Sequence, residues 1–145
     1  MQTVREGDRW MLRLDDGQDL FATLTEFARR EDIEAAVVVS GIGMVQRATI
    51  GYWDGTRYQT QELSVPHEVV ALHGSIARAD GVPSIHLHLA AAGPDHRLVG
   101  GHLMQATVGV LQEILLVAFP GRTFGRPMSE VLGLRMLDLE PGGDT

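Results

Sequence analysis

The chain has 145 residues, of which 44% are apolar and 21% are charged, enough for one domain with its own core. These values exclude a disordered chain, a collagen-like chain and a coiled coil. The net charge is −7 and cysteine is absent, so the chain offers no disulfide, no thiol nucleophile and no cysteine ligand, and its overall charge disfavours direct binding to nucleic acid.

The first third of the chain predicts a strand, a helix and a second strand. Alternating apolar residues predict a strand over residues 9–14, and apolar residues at helical spacing predict a helix over residues 20–30 with Asp19 as its N-cap. The valines at 37–39 predict a short strand buried on both faces. Gly41 to Gly43 then predict a tight turn between strands, since no helix follows them as a dinucleotide fingerprint requires.

The rest of the chain is rich in β-forming residues. The pairs Asp54-Gly55 and Asp80-Gly81 predict turns between strands, and Gly100-Gly101 predicts another. Strands are predicted over residues 47–53, 58–63, 69–76, 84–91, 108–119 (with a bend near Gln112) and 131–139. The expected fold class is α+β, a single compact domain over residues 1–140 with a largely antiparallel mixed sheet and an N-terminal helix. Residues 141–145, PGGDT, are expected to be a flexible tail.

The location of the protein is predicted from two features. Residues 1–15 carry charges throughout, unlike a signal peptide. No apolar run approaches the ~18 residues that a membrane-spanning helix needs. We therefore expect a soluble cytoplasmic protein with no membrane partner.

Four of the six histidines lie in the segment SIHLHLAAAGPDHRLVGGHL. His86 and His88 are two residues apart on a predicted strand, so their imidazoles share one face. His102 follows two glycines, which allow close approach to a neighbouring strand and would let it supply a third nitrogen. Three histidines suit zinc and leave its fourth position open. The alternative is that these are core or interface histidines hydrogen-bonded to backbone.

The remaining histidines offer weaker candidates for ligands. His96 is expected to be exposed in a polar loop. His67 and His73 lie six residues apart, and nothing in the pattern requires either to reach the cluster.

Three carboxylates are candidate general bases: Glu68, Asp95 and Glu113. Glu113 interrupts the apolar run VGVLQEILLVAF, so it must be paired, protonated or orienting a histidine, unless it faces solvent. The chain contains no GxSxG, P-loop or HExxH motif.

The order of these motifs resembles the plants-and-prokaryotes-conserved domain, or PPC domain. The resemblance runs from about Arg9 to Leu139. Its most specific parts are Gly41-Ile42-Gly43, Glu68, Leu72 to Gly74, Asp80-Gly81, His86-Leu87-His88 and Gly100-Gly101-His102-Leu103. It implies a subunit that assembles as a homotrimer and a metal site with His86, His88 and His102 as ligands and zinc as the expected metal.

The same family includes plant nuclear proteins in which the domain is joined to AT-hooks, built on RGRP, that enter the DNA minor groove. This chain has FGRP at Phe124 to Pro127 without the first arginine, so a turn before the last strand is expected there instead. With −7 per chain, a trimer would carry about −21, which argues against direct DNA binding.

Three hypotheses follow, in this order. The first is a homotrimer with a three-His zinc site and a binding or regulatory role. The second is a DNA-associated regulator that acts through a transcription-related protein partner or a local patch. The third is a zinc-dependent enzyme that acts on a small molecule at the open metal position, with Glu68, Asp95 or Glu113 as its base.

Overall fold

Seven strands and one helix make up residues 1–140, the part of the chain that the structure, a computed structural model, describes. In chain order they are β1 (Gln2–Glu6), β2 (Arg9–Asp15), α1 (Leu20–Arg30), β3 (Ala36–Trp53), β4 (Tyr58–Leu63), β5 (His67–Ala79), β6 (Val82–Ala92) and β7 (Leu98–Ala118). The predicted single domain with a mostly antiparallel sheet and one helix is confirmed. The predicted tail at 141–145 lies outside the described residues.

The strands form one antiparallel sheet with the order β1-β2-β7-β6-β5-β3-β4. β7 also pairs with β3, so the pairs β3–β5, β5–β6, β6–β7 and β7–β3 close into a ring. β3 and β7 can each pair with three neighbours because they are long, 18 and 21 residues, and are bent by register shifts. Within this ring β5, β6 and β7 lie side by side.

The helix has the predicted bounds and the predicted cap. The Asp19 carboxylate accepts a hydrogen bond of 2.8 Å from the backbone N–H of Ala22, which satisfies one of the free amides of the first turn. Leu20, Leu24 and Phe27 are buried on one helical face, which packs on the sheet against β6 and β7. The buried face of α1 and the inner face of the sheet form one continuous core.

Two glycine pairs predicted as turns lie inside strands. Gly43 continues β3 with a φ of 141° at a register shift, and a Cβ there would collide with the backbone oxygen of Leu111. Gly100 and Gly101 lie inside β7, where a Cβ on Gly101 would stand 2.7 Å from the oxygen of Gly51. These glycines therefore permit close approach of strands, rather than reversal of the chain.

The predicted last strand over residues 131–139 is wrong. The segment after β7 forms turns held by isolated bridges, Gly125 to Asp138 and Met128 to Arg135. β5 is paired by β3 and β6 as far as Ile76, so the segment meets β5 only beyond the end of the β3 ladder, through the Arg78–Gly125 bridge.

At the other end of the chain, sequence reasoning missed β1. All five residues of this strand are exposed, so they show no apolar alternation.

The bend predicted near Gln112 is confirmed. It lies at Val110, whose φ is +59°.

No helix among residues 1–140 is long and apolar enough to cross a membrane. The predicted cytoplasmic location stays a prediction.

Candidate metal centre

The alternation of β6 separates its leucines from its histidines. Leu87 and Leu89 are 0% and 4% exposed and belong to the core. His86 and His88 therefore project from the opposite face, where His86 is partly buried and His88 is exposed. The shared face predicted for the two imidazoles is confirmed.

His102 joins them from the neighbouring strand, where it lies directly opposite His88 in the β6–β7 ladder. The ring centroids form a nearly regular triangle: His86 to His88 is 5.1 Å, His86 to His102 is 5.0 Å and His88 to His102 is 5.4 Å. One ring nitrogen of each lies within 4.8 Å of the other two. These three side chains are the histidine cluster.

The spacing of two nitrogens fits a tetrahedral ion. Nε2 of His86 lies 3.2 Å from Nδ1 of His102, and two nitrogens bound at 2.0–2.1 Å to a tetrahedral zinc ion are separated by about 3.3 Å. The residues present thus match zinc in ligand type and number.

The protonation of the cluster also suits a metal. Burial, followed by the charges of Arg126, His102 and His88, lowers the pKa of His86 from 6.5 to about 4. Burial, followed by the charges of His88 and Arg126, also lowers the pKa of His102. Since a ligating imidazole must be neutral, both rings are ready to bind an ion at pH 7.

The other histidines bind backbone or face solvent. His73 lies opposite His88 in the β5–β6 ladder, and its Nδ1 is 2.8 Å from the oxygen of Val39. His67 is buried, with Nδ1 2.7 Å from the oxygen of Val65. His96 is exposed in the loop between β6 and β7, as predicted.

None of the three candidate general bases joins the histidine cluster in the described part of the chain. Glu68 pairs with Ala92 in the β5–β6 ladder, seven residues or roughly 20 Å of strand from the position facing His86. Glu113 lies opposite Arg13 of β2, and the Asp95 carboxylate accepts a hydrogen bond from its own loop at Arg97. The structure therefore does not support their use as bases at the cluster.

Two residues beside the histidine cluster were missed in the sequence. The Tyr58 ring stacks on His102 with centroids 5.0 Å apart and 27° between the planes. Arg126 is only 6% exposed, and its Nη2 donates a 2.7 Å hydrogen bond to Oγ of Ser75, the residue that faces His86 in the β5–β6 ladder. No local signal marks either residue, because both arrive from elements distant in sequence.

Comparison with known proteins places this geometry in context. The model of the Plants and Prokaryotes Conserved (PCC) domain, the PPC domain above, matches residues 1–120. The Bifunctional protein GlmU of Synechococcus sp. (strain JA-3-3Ab) is 37% identical over 130 residues, 89% of this chain and 20% of that protein. The chain thus spans about a fifth of the length of the curated relatives it matches.

Two solved structures share the whole fold. A metal-containing protein from Archaeoglobus fulgidus is 36% identical, with a TM-score of 0.82 and coverage of 90% of this chain and 92% of that chain. A protein from Ralstonia eutropha JMP134, whose name provisionally assigns it DNA binding, is 26% identical, with a TM-score of 0.86 and coverage of 95% and 96%.

Proposed function

Because the chain belongs to the Plants and Prokaryotes Conserved domain family, we propose that it is a homotrimeric metal-binding protein with a regulatory or other binding role, in which His86, His88 and His102 hold zinc. The observation that carries the proposal is the convergence of three imidazole nitrogens within 4.8 Å of one another. The metal-containing relative from Archaeoglobus fulgidus supports it. When bound, zinc would supply a Lewis acid with a fourth position for a ligand atom.

Metal content is the direct test. Elemental mass spectrometry on untagged protein purified without a nickel column should find about one zinc per chain. The double variant His86→Ala/His88→Ala should lose it, because one remaining imidazole cannot hold the ion tightly. His96→Ala is the matched control, since it removes an exposed histidine outside the cluster, and it should keep full zinc. Full occupancy in the double variant, or no zinc in the wild type after zinc is offered, would refute the assignment.

The homotrimer is supported by surfaces that a single chain leaves open. β1 and β4 each pair on one side only, and such edges are normally covered or protected. Six apolar side chains of the segment after β7 are at least 45% exposed. They are Met128, Val131, Leu132, Met136, Leu137 and Leu139. An assembly of copies would remove both kinds of surface from water.

A regulatory role is proposed to act through a protein partner and not through direct DNA contact. The net charge is −7, and two arginines around the C-terminal segment are already paired: Arg78 with Glu34, and Arg135 with Asp80. Arg126 of the FGRP segment is buried. An electrophoretic mobility assay with duplex DNA at moderate salt should therefore show no shift at micromolar protein. A shift that weakens steeply as salt rises would contradict this and support direct binding.

A zinc-dependent enzyme is the second candidate. It is favoured by the open position that three histidine ligands leave and by the polar side chains of Tyr58 and Arg126 beside the histidine cluster. A panel of ester, phosphate and lactone substrates tests it. We expect no metal-dependent turnover, because no candidate carboxylate base lies at the cluster. Turnover by the wild type that is lost in His86→Ala/His88→Ala would make the zinc-dependent enzyme the first candidate.

A further inference from the structure

Arg126 is a buried charge without a counter-charge in the part of the chain that the structure describes. Its side chain is 6% exposed, and no carboxylate among residues 1–140 lies within 4.0 Å of its guanidinium. One hydrogen bond, to Ser75, holds Nη2, whereas Nε is enclosed and has no partner among the described residues. An unpaired buried charge is costly to the folded state. A guanidinium in this state indicates an anion that residues 1–140 do not supply.

The backbone around Arg126 fixes its position. Gly125 exchanges two hydrogen bonds, of 2.7 and 2.9 Å, with Asp138. The side chain of Arg135 donates a 3.1 Å hydrogen bond to the carbonyl oxygen of Arg126 itself. The segment is thus tied on both sides of the residue, and the guanidinium is held in place before any ligand arrives.

The guanidinium lies beside the histidine cluster. Ser75, which binds it, faces His86 across the β5–β6 ladder, and the charge of Arg126 acts on both His86 and His102. A molecule that touches the end of the Arg126 guanidinium can therefore be small and still reach the histidine cluster.

We propose that Arg126 binds the oxyanion group, a carboxylate or a phosphate, of a small ligand whose other end lies at the histidine cluster. The N–H groups at the end of the guanidinium that Ser75 leaves free can form the planar fork that two oxygens of one anionic group accept, whereas Nε itself is enclosed. The chain's charge of −7 favours a small anion over a polyanion. The inference that the other end of the ligand lies at the histidine cluster depends on the proposed metal site. The inference that Arg126 binds an anion does not.

Isothermal titration calorimetry with acetate and, separately, inorganic phosphate tests the proposal on zinc-loaded wild-type protein and on Arg126→Met. Methionine fills a similar volume without charge. The variant should bind at least one of these anions about tenfold more weakly or not at all, the loss expected for a charge-assisted hydrogen bond. Arg122→Met, an exposed arginine of the same segment, is the matched control and should bind as the wild type does. The anion with the larger loss identifies the ligand class.

The outcomes separate this proposal from the metal site. Arg126-dependent anion binding in the zinc-free variant His86→Ala/His88→Ala would support the anion site while the metal assignment fails. Full zinc with equal anion binding by wild type and Arg126→Met would overturn the anion site alone. The same holds if Arg126→Met breaks up the oligomer without changing anion affinity, because a carboxylate of another subunit would then be its partner. If Arg126→Met does not fold, Ser75→Ala removes the anchor of the guanidinium and should weaken binding in the same assay.

Discussion

The side chain of Gln112 is a polar group enclosed in the core. It is 1% exposed, and neither its amide nitrogen nor its amide oxygen has a hydrogen-bond partner in the described chain. Sequence reasoning singled out its neighbour Glu113, which is only partly buried. The alternation of Ile114 and Leu116, both buried, places Gln112 and not Glu113 on the inner face of β7.

Replacing this amide should stabilise the protein. Gln112→Met keeps the length of the side chain and removes two unsatisfied buried groups, each of which costs about 1–3 kcal/mol. We expect a melting temperature several degrees higher, measured by differential scanning calorimetry. Gln61→Met, on an exposed position of β4, is the control and should change little. A lower melting temperature for Gln112→Met would show that the amide is paired in solution.

The pKa of His86 predicts how the free energy of unfolding of the metal-free protein depends on pH. Its pKa is lowered to about 4 in the folded state, chiefly by burial, from 6.5. As pH falls below about 6.5 the unfolded chain binds the proton first, so the free energy of unfolding decreases until pH reaches about 4. Because the ring is only partly buried, we expect a loss of roughly 1–2 kcal/mol and not the full value of the shift.

Urea unfolding at a series of pH values measures this effect. His86→Ala should flatten the slope between these two pH values, and His96→Ala, which removes an exposed histidine, should leave it unchanged. A wild-type stability that does not vary across the same range would contradict the prediction.

At the level of elements, the helix and the hairpin strand β4 were predicted with their observed bounds. Both carry strong local signals: Asp19 and helical spacing for α1, and Asp54-Gly55 before Tyr58–Leu63 for β4. β3 was predicted as two shorter strands separated by a glycine turn, and β7 as one shorter strand preceded by a glycine turn. In a closed sheet, glycine also serves where strands come too close for a side chain, and the sequence alone does not distinguish the two uses.

Gly101 tests this interpretation. In Gly101→Ala the new Cβ would lie 2.7 Å from the oxygen of Gly51, so β3 and β7 must separate beside His102. We expect a destabilisation of about 1–3 kcal/mol and a loss of zinc, measured by urea unfolding and elemental mass spectrometry. Gln105→Ala, at an exposed position of the same strand, is the control and should keep the stability and the zinc content of the wild type. Unchanged stability and full zinc in Gly101→Ala would show that the contact relaxes without cost.

For the whole molecule, the prediction concerns assembly. Light scattering after size-exclusion chromatography should give three times the chain mass of 15.8 kDa. Val131 is 91% exposed, more than any other apolar residue after β7 in the described chain. A substitution there is therefore the most direct way to disturb the assembly. Val131→Asp should shift the protein towards smaller species if this segment lies in the interface, because a buried unpaired carboxylate is costly. Ala22→Asp, on the exposed side of α1, is the control. A monomeric wild type would contradict the trimer.

The amino-acid sequence by itself determined the family, the helix, the antiparallel sheet and the shared face of His86 and His88, because each depends on a local pattern or on a motif order visible along the chain. Only the tertiary structure decided how His102 meets them, which carboxylates stay away and that Arg126 lies buried beside them. Those facts depend on the register in which β6 pairs with β7 and on the path of the segment after β7. Contacts between residues far apart in sequence leave no periodic trace, so the surroundings of the histidine cluster could not be predicted before the fold was known.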